Sequence, residues 1–124
     1  MELVLKKCAH CGALVKVLED CNCGGCGIQC CGEEMKKVEP NSVDAVVEKH
    51  VPVYEIIDDK IKVTVNHVME EEHFIEWISM VTEKKEITVK FNPEEKAECQ
   101  FCYVEGAKLY AYCNKHGLWQ TIVK

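Results

Sequence analysis

Cys113 and His116 stand three positions apart in "YCNKHGLW", residues 112–119. At that spacing a thiolate and an imidazole can reach one metal ion. Two donors do not fill a coordination sphere, and the histidines free to join them are His50 in "EKHVPV" and His67 and His73 in "NHVMEEEHFIEWI". Any one of these alone would ordinarily be a surface residue or a satisfied core group; the argument rests on the set. Four imidazoles and a thiolate exceed the four ligands of structural zinc, whereas imidazole with thiolate suits iron. Four nitrogens in a plane with the sulfur beneath would leave one face open. An axial thiolate pushes electron density onto iron, as it does in thiolate-ligated haem. The expected chemistry is redox chemistry on a small oxygen species.

A second set of donors is all sulfur. Cys8 and Cys11 in "CAHC" form a knuckle, and Cys30 and Cys31 add an adjacent pair. Four thiolates in a tetrahedron suit zinc or iron. Neighbouring ligands should distort that tetrahedron, and a zinc staple holding a small fold is the plain alternative. Cys21, Cys23 and Cys26 in "DCNCGGC" leave three further readings open: spare thiols, a second metal loop or cluster, or substitutes for Cys30 or Cys31. His10 lies inside the knuckle, whose ligands are already supplied, and reads as an ordinary histidine. Cys99 and Cys102 form another CxxC, but on a strand alternation turns them to opposite faces, so they read as core or surface thiols.

The elements that must position these groups divide in two. Residues 1–37 are rich in Cys and Gly and too short for a sizeable core, and such a piece usually needs a metal or staple to hold it. "VEPNSVD", residues 38–44, reads as a linker or turn. Residues 38–124 read as β structure. "IKVTV" and "EITVKF" alternate apolar and polar residues, and "VPVYEIIDDKIKVTV" makes two strands joined at Asp58-Asp59-Lys60. "FIEWISMV", "AKLYAYC" and "LWQTIV" supply further strands; only "EEEHFIEWI" hints at a helix, without a clear cap. Short strands at roughly regular spacing predict a sandwich.

Composition narrows the function. The chain has 124 residues, is 48% hydrophobic, and has a net charge of -6 with no arginine. A protein that grips phosphate backbones wants Lys/Arg patches, so nucleic acid is not the expected partner. No apolar run is long enough for a membrane span. "MELVLKKCAHC" lacks a signal peptide's pattern, and the chain reads as cytoplasmic. Ten cysteines in such a chain point to metal sites before disulfides.

"CAHCG…CCGEEM", "EKHVPV", "NHVMEEEHFIEWI" and "YCNKHGLW", in this order over essentially the whole chain, resemble desulfoferrodoxin, the two-iron superoxide reductases. The resemblance implies an all-β protein. A small desulforedoxin-like domain (1–37) would carry a rubredoxin-type iron on Cys8, Cys11, Cys30 and Cys31. An immunoglobulin-like β-sandwich (38–124) would carry the reactive iron, with His50, His67, His73 and His116 equatorial and Cys113 axial. It implies superoxide as substrate, hydrogen peroxide as product, rubredoxin or a similar electron donor, and a homodimer. It also places Glu48 and Lys49 on a loop over the open face. The stretch between Cys11 and Cys30 is longer than the family's usual one and holds three extra cysteines, which puts the ligand set of the first iron in doubt.

Charge bears on Lys49. Residues 41–124 carry ten Lys against fifteen Asp and Glu, a balance of -5. Superoxide is an anion, so global steering is unfavourable and a local positive group is required. Lys49 beside His50 is the candidate, and Glu48 could ligate the oxidised iron. Two rivals stand beside this reading. An iron–sulfur electron carrier without a catalytic role leaves the histidines unexplained. A zinc-binding interaction module fails on ligand number.

Overall fold

The computed structural model describes residues 2–22, 24, 27–42 and 49–124. Glu48, Cys23 and Cys26 lie outside the described residues. The chain forms two compact units, Glu2–Glu39 and Pro40–Lys124.

The N-terminal unit is built from short strands: β1 (Leu5–Lys7), β2 (Leu14–Lys16), β3 (Gln29–Cys30), β4 (Glu33–Glu34) and β5 (Lys36–Lys37). β2, β1 and β5 form an antiparallel sheet in that order, and β3 pairs with β4. Among its described residues only Leu3, Leu5, Cys8 and Met35 are buried hydrophobics. At roughly 1.5–3 kcal/mol for each fully buried large side chain, so few cannot offset the ordering entropy of the unit. One ion pair adds a tie: Lys6 Nζ lies 3.0 Å from Asp20 Oδ1, which also accepts the Cys21 N–H at 2.8 Å.

The C-terminal unit carries β6 (Val53–Ile57), β7 (Lys60–Thr64), β8 (Ile75–Val81), β9 (Glu86–Lys90), β10 (Glu98–Cys102), β11 (Lys108–Cys113) and β12 (Gly117–Ile122). They form two antiparallel sheets, ordered β10-β7-β6 and β12-β11-β8-β9. One buried cluster joins Ile61, Val63 and Phe101 of the first sheet to Ile78, Met80, Leu109, Ala111 and Cys113 of the second. This is the expected sandwich. In "IKVTV" the residues Ile61, Val63 and Val65 are buried while Lys62 and Thr64 are partly exposed, as period-two alternation requires.

The loop between β6 and β7 is Asp58-Asp59, closed by the Ile57–Lys60 pair, with Asp58 at φ 55°. Asp tolerates that left-handed conformation better than most residues. "EEEHFIEWI" contains no helix: Ile75 begins β8, whose β-branched and apolar residues face the core. Cys99 packs against the core and Cys102 is exposed, 3.6 Å from Lys60 Nζ, on the opposite faces that alternation predicts.

Candidate metal centres

The four sulfurs of Cys8, Cys11, Cys30 and Cys31 all lie within 4.8 Å of one another. Two turns bring them together. Cys8 and Cys11 sit on the turn between β1 and β2, closed by Cys8 N–H to Ala13 O at 2.9 Å and by Gly12 N–H to Cys8 O at 3.1 Å. Cys30 ends β3, and Cys31-Gly32 form the two-residue turn to β4. Cys31 has φ 53° and Gly32 φ 75°, two left-handed residues in a row, as in the hairpin turns that match strand twist. With Cys31 in the left-handed region, the adjacent pair puts both its sulfurs into one group with those of Cys8 and Cys11. That conformation is disfavoured for a non-glycine residue by roughly 1–2 kcal/mol.

These thiols perturb one another. The backbone N–H groups of Cys11 and His10 pull the Cys8 thiol down to about 6. Cys30 is pushed up to about 12, chiefly by the thiol of Cys11 and then those of Cys8 and Cys31. Cys31 is raised chiefly by the thiol of Cys11 and then that of Cys8. A cation bound among such crowded thiols would displace their protons. His10 is not among the donors: its Nε2 pairs with Glu33 Oε2 at 2.6 Å on the surface. Cys21 is exposed and stands outside the sulfur group.

The second centre draws on four segments. Thr121 Oγ1 donates to Pro52 O at 2.8 Å, which ties the chain just after His50 to β12. His67 follows β7, and His73 closes a tight turn in which it exchanges backbone hydrogen bonds with Glu70 at 3.0 and 3.1 Å. Cys113 ends β11. Asn114-Lys115-His116 is the loop of the β11–β12 hairpin, and Gly117 follows at φ 78°. A three-residue hairpin loop of this kind wants a left-handed residue at its end, which glycine supplies. This loop is why a cysteine and a histidine three apart face the same point.

The donor atoms of His50, His67, His73, Cys113 and His116 lie within 4.8 Å of one another. The imidazoles follow one another in a ring, His50–His67–His73–His116 and back to His50, with centroids 4.7, 4.5, 5.0 and 4.8 Å apart. Cys113 Sγ is 3.4 Å from His67 Nε2 and 3.8 Å from His116 Nδ1. His67 Nδ1 lies 2.5 Å from Val68 O, which leaves Nε2 for the centre. His116 faces inward through Nδ1 instead. Burial holds both His67 and His73 below the usual imidazole range, and the neutral ring is the metal-binding form.

These residues fit a metal ion. His73 Nε2 is buried with no hydrogen-bond partner among the described residues, and an orphaned buried nitrogen is costly unless a cation or proton closes it. Cys113 is fully buried in the core cluster, where a thiolate gains from a metal counter-charge.

Three surrounding residues add to the site. Trp119 is buried, stacks on His50 with centroids 4.9 Å apart, and donates its indole N–H to His116 O at 3.1 Å. Asn114 bonds the residues on either side of His73, Glu72 and Phe74, through its side chain. Both roles escaped the sequence, although both residues lie in the eight-letter stretch that carries Cys113 and His116. Lys49 is exposed and lines a cleft of about 380 Å³ together with Asn66, His67 and Lys96.

A β-sandwich with a half-buried imidazole–thiolate donor set, in one chain with a four-thiolate unit, defines a two-centre metalloprotein. The desulfoferrodoxin family profile matches residues 42–122. The chain is 42% identical to a desulfoferrodoxin of Syntrophotalea carbinolica over 97% of its length and 96% of the relative's. It is 44% identical to one of Desulfarculus baarsii over 96% and 95% of the two chains. It is also similar to the crystal structure of the superoxide reductase from Treponema pallidum, with a TM-score of 0.71 and 28% identity over 98% of this chain and 99% of that one. The chain belongs to the desulfoferrodoxin family. Its two donor groups match the two iron sites of that family, one of four cysteines and one of four histidines with a cysteine.

Proposed function

We propose that this protein is a superoxide reductase whose reactive iron is held by His50, His67, His73, His116 and Cys113. The observation that carries the reading is the ring of four buried or half-buried imidazoles closed by the Cys113 sulfur, with His73 Nε2 left for a metal. These five residues would hold an iron that supplies one electron, with which superoxide and two protons would give hydrogen peroxide.

The chain's own groups do the rest. Burial keeps His67 and His73 neutral and able to ligate. Trp119 fixes the ring plane of His50 and the carbonyl of His116. Lys49, in the cleft beside His67, offers the local positive charge that an acidic protein needs to attract an anion. Glu48, outside the described residues, would be the carboxylate available to the oxidised iron. Cys8, Cys11, Cys30 and Cys31 hold the other iron in a filled thiolate sphere, which suits electron relay and structure rather than substrate binding. A rubredoxin-like donor returns the electron, and two copies of the chain form a homodimer. The cytoplasm is the compartment we infer; none of the described cysteines is in a disulfide, and no helix among the described residues is long and apolar enough to cross a membrane.

The test is stoichiometry. A reductase yields one peroxide and oxidises one donor equivalent for each superoxide consumed, and releases no oxygen. Dismutation yields one peroxide and one oxygen from each pair. Oxygen release without donor oxidation would overturn the assignment.

A further inference from the structure

Asn114 lies between Cys113 and His116, yet its contacts run to the segment that carries His73. Its side-chain Oδ1 accepts the Phe74 N–H at 3.0 Å. Its Nδ2 donates to Glu72 O at 2.9 Å. Its backbone N–H reaches Phe74 O at 3.3 Å. Glu72 and Phe74 flank His73 on either side, so one side chain clamps both neighbours of that histidine.

The strand register explains why a side chain is needed. β11 pairs with β8 so that Tyr112 faces Trp77 and Cys113 faces Ile75, which skips Glu76. A bulge of this kind bends its strand and ends regular pairing. Beyond it the chain leaves the ladder toward His73, and the Asn114 side chain makes two further bonds between the two segments there. The amide of Asn114 has one acceptor and one donor in the places the two flanking backbone groups require. His73 itself makes no hydrogen bond through Nε2 among the described residues, so the nitrogen aimed at the centre owes its position to the backbone on which the ring sits.

We infer that Asn114 is a positioning residue that locks His73 to the hairpin carrying Cys113 and His116. This rests on His73 being a metal ligand. Losing an outer partner of a metal ligand typically weakens metal binding by about 10- to 100-fold. The loss should be specific to His73, and a double-mutant cycle isolates such a coupling.

The experiment is Co(II) titration of the metal-free full-length chain, read at the absorption of the histidine–cysteine centre. Asn114→Ala should lower Co(II) affinity about ten-fold. In a His73→Ala background the same change should cost less than about two-fold; in a His50→Ala background it should again cost about ten-fold. An equal loss in all three backgrounds makes Asn114 a general structural residue and overturns the inference, as does no loss at all. If His73→Ala leaves Co(II) affinity unchanged, the ligand assignment fails and this inference with it. Should Asn114→Ala not fold, Asn114→Asp serves in the same cycle, because it keeps the acceptor for the Phe74 N–H and removes the donor to Glu72 O.

Discussion

His50 Nε2 lies 3.0 Å from His116 Nδ1, although 66 residues separate them in the chain. The rings meet at 89°, edge to face. One arrives on the segment that Thr121 anchors through Pro52, the other on the β11–β12 loop. Without a metal the two nitrogens can share one proton between them. With His67, His73 and Cys113 turned to the same place, a cation satisfies every inward-facing donor at once.

Removing one imidazole should therefore weaken this centre and spare the other. His67→Ala or His73→Ala is expected to lower metal affinity at the histidine–cysteine group by at least about ten-fold, the loss typical even of an outer partner. The thiolate-to-metal absorption of the four-cysteine centre should persist. Simultaneous loss of both absorptions would mean that the two centres are not separate.

Cys113→Ser should abolish reductase activity while the sandwich remains folded. Cys113 is fully buried, so an unpaired hydroxyl there costs about 1–3 kcal/mol, small beside the apolar cluster that joins the sheets. Thermal unfolding and turnover measured on the same sample check this. Unfolding that accompanies the loss of iron would assign Cys113 to the fold.

Cys31→Ser should remove the absorption of the four-cysteine centre and leave superoxide reduction by the pre-reduced histidine-ligated iron intact. A filled thiolate sphere offers no vacancy to substrate. Stopped-flow mixing of the reduced variant with superoxide is the measurement, and a slowed first encounter would contradict the division of labour.

Metal affinity at the four-cysteine group should rise with pH, and the sign follows from the thiols. Cys30 lies near 12 and Cys31 is also raised, so at neutral pH both must lose a proton when metal binds, and higher pH favours binding. Cys8 near 6 is already a thiolate at pH 7 and adds no dependence there. Below about pH 6 it too must lose a proton, and the slope of log affinity against pH should steepen. Chelator competition between pH 5 and 9, a range chosen to bracket roughly the ordinary and lowered thiol values, reads the slope. An unchanged slope across pH 6 would contradict the lowered thiol of Cys8.

Lys49→Ala should lower the second-order rate with superoxide about ten-fold, since one partly screened charge contributes roughly 1 kcal/mol. Attraction to it is screened over about 8 Å near physiological ionic strength. The wild-type rate should fall as salt rises. The variant, left with the acidic background, should show a flat or rising dependence. An unchanged rate and salt slope would make Lys49 a bystander and direct attention to Lys96, which lines the same cleft, or to Lys115 beside His116.

The donors were legible in the sequence because their chemistry is written in residue type, and Cys113 and His116 were legible as a pair because a hairpin loop is local. The strands were legible for the same reason: Ile61, Val63 and Val65 alternate with polar residues, and alternation is a property of neighbours. The ring order of the histidines was not. It depends on where two sheets set His50, His67 and His73 in space, and that is decided by the cluster packed between the sheets. Nor could sequence show how adjacent cysteines serve one centre, since the answer is a left-handed φ at Cys31. Trp119 and Asn114 escaped because a tryptophan and an asparagine carry no ligand chemistry of their own. Only the fold places one against His50 and the other around His73. Short-range spacing is fixed by covalent geometry and turn type, whereas convergence across dozens of residues exists only once burial of the core has chosen one packing.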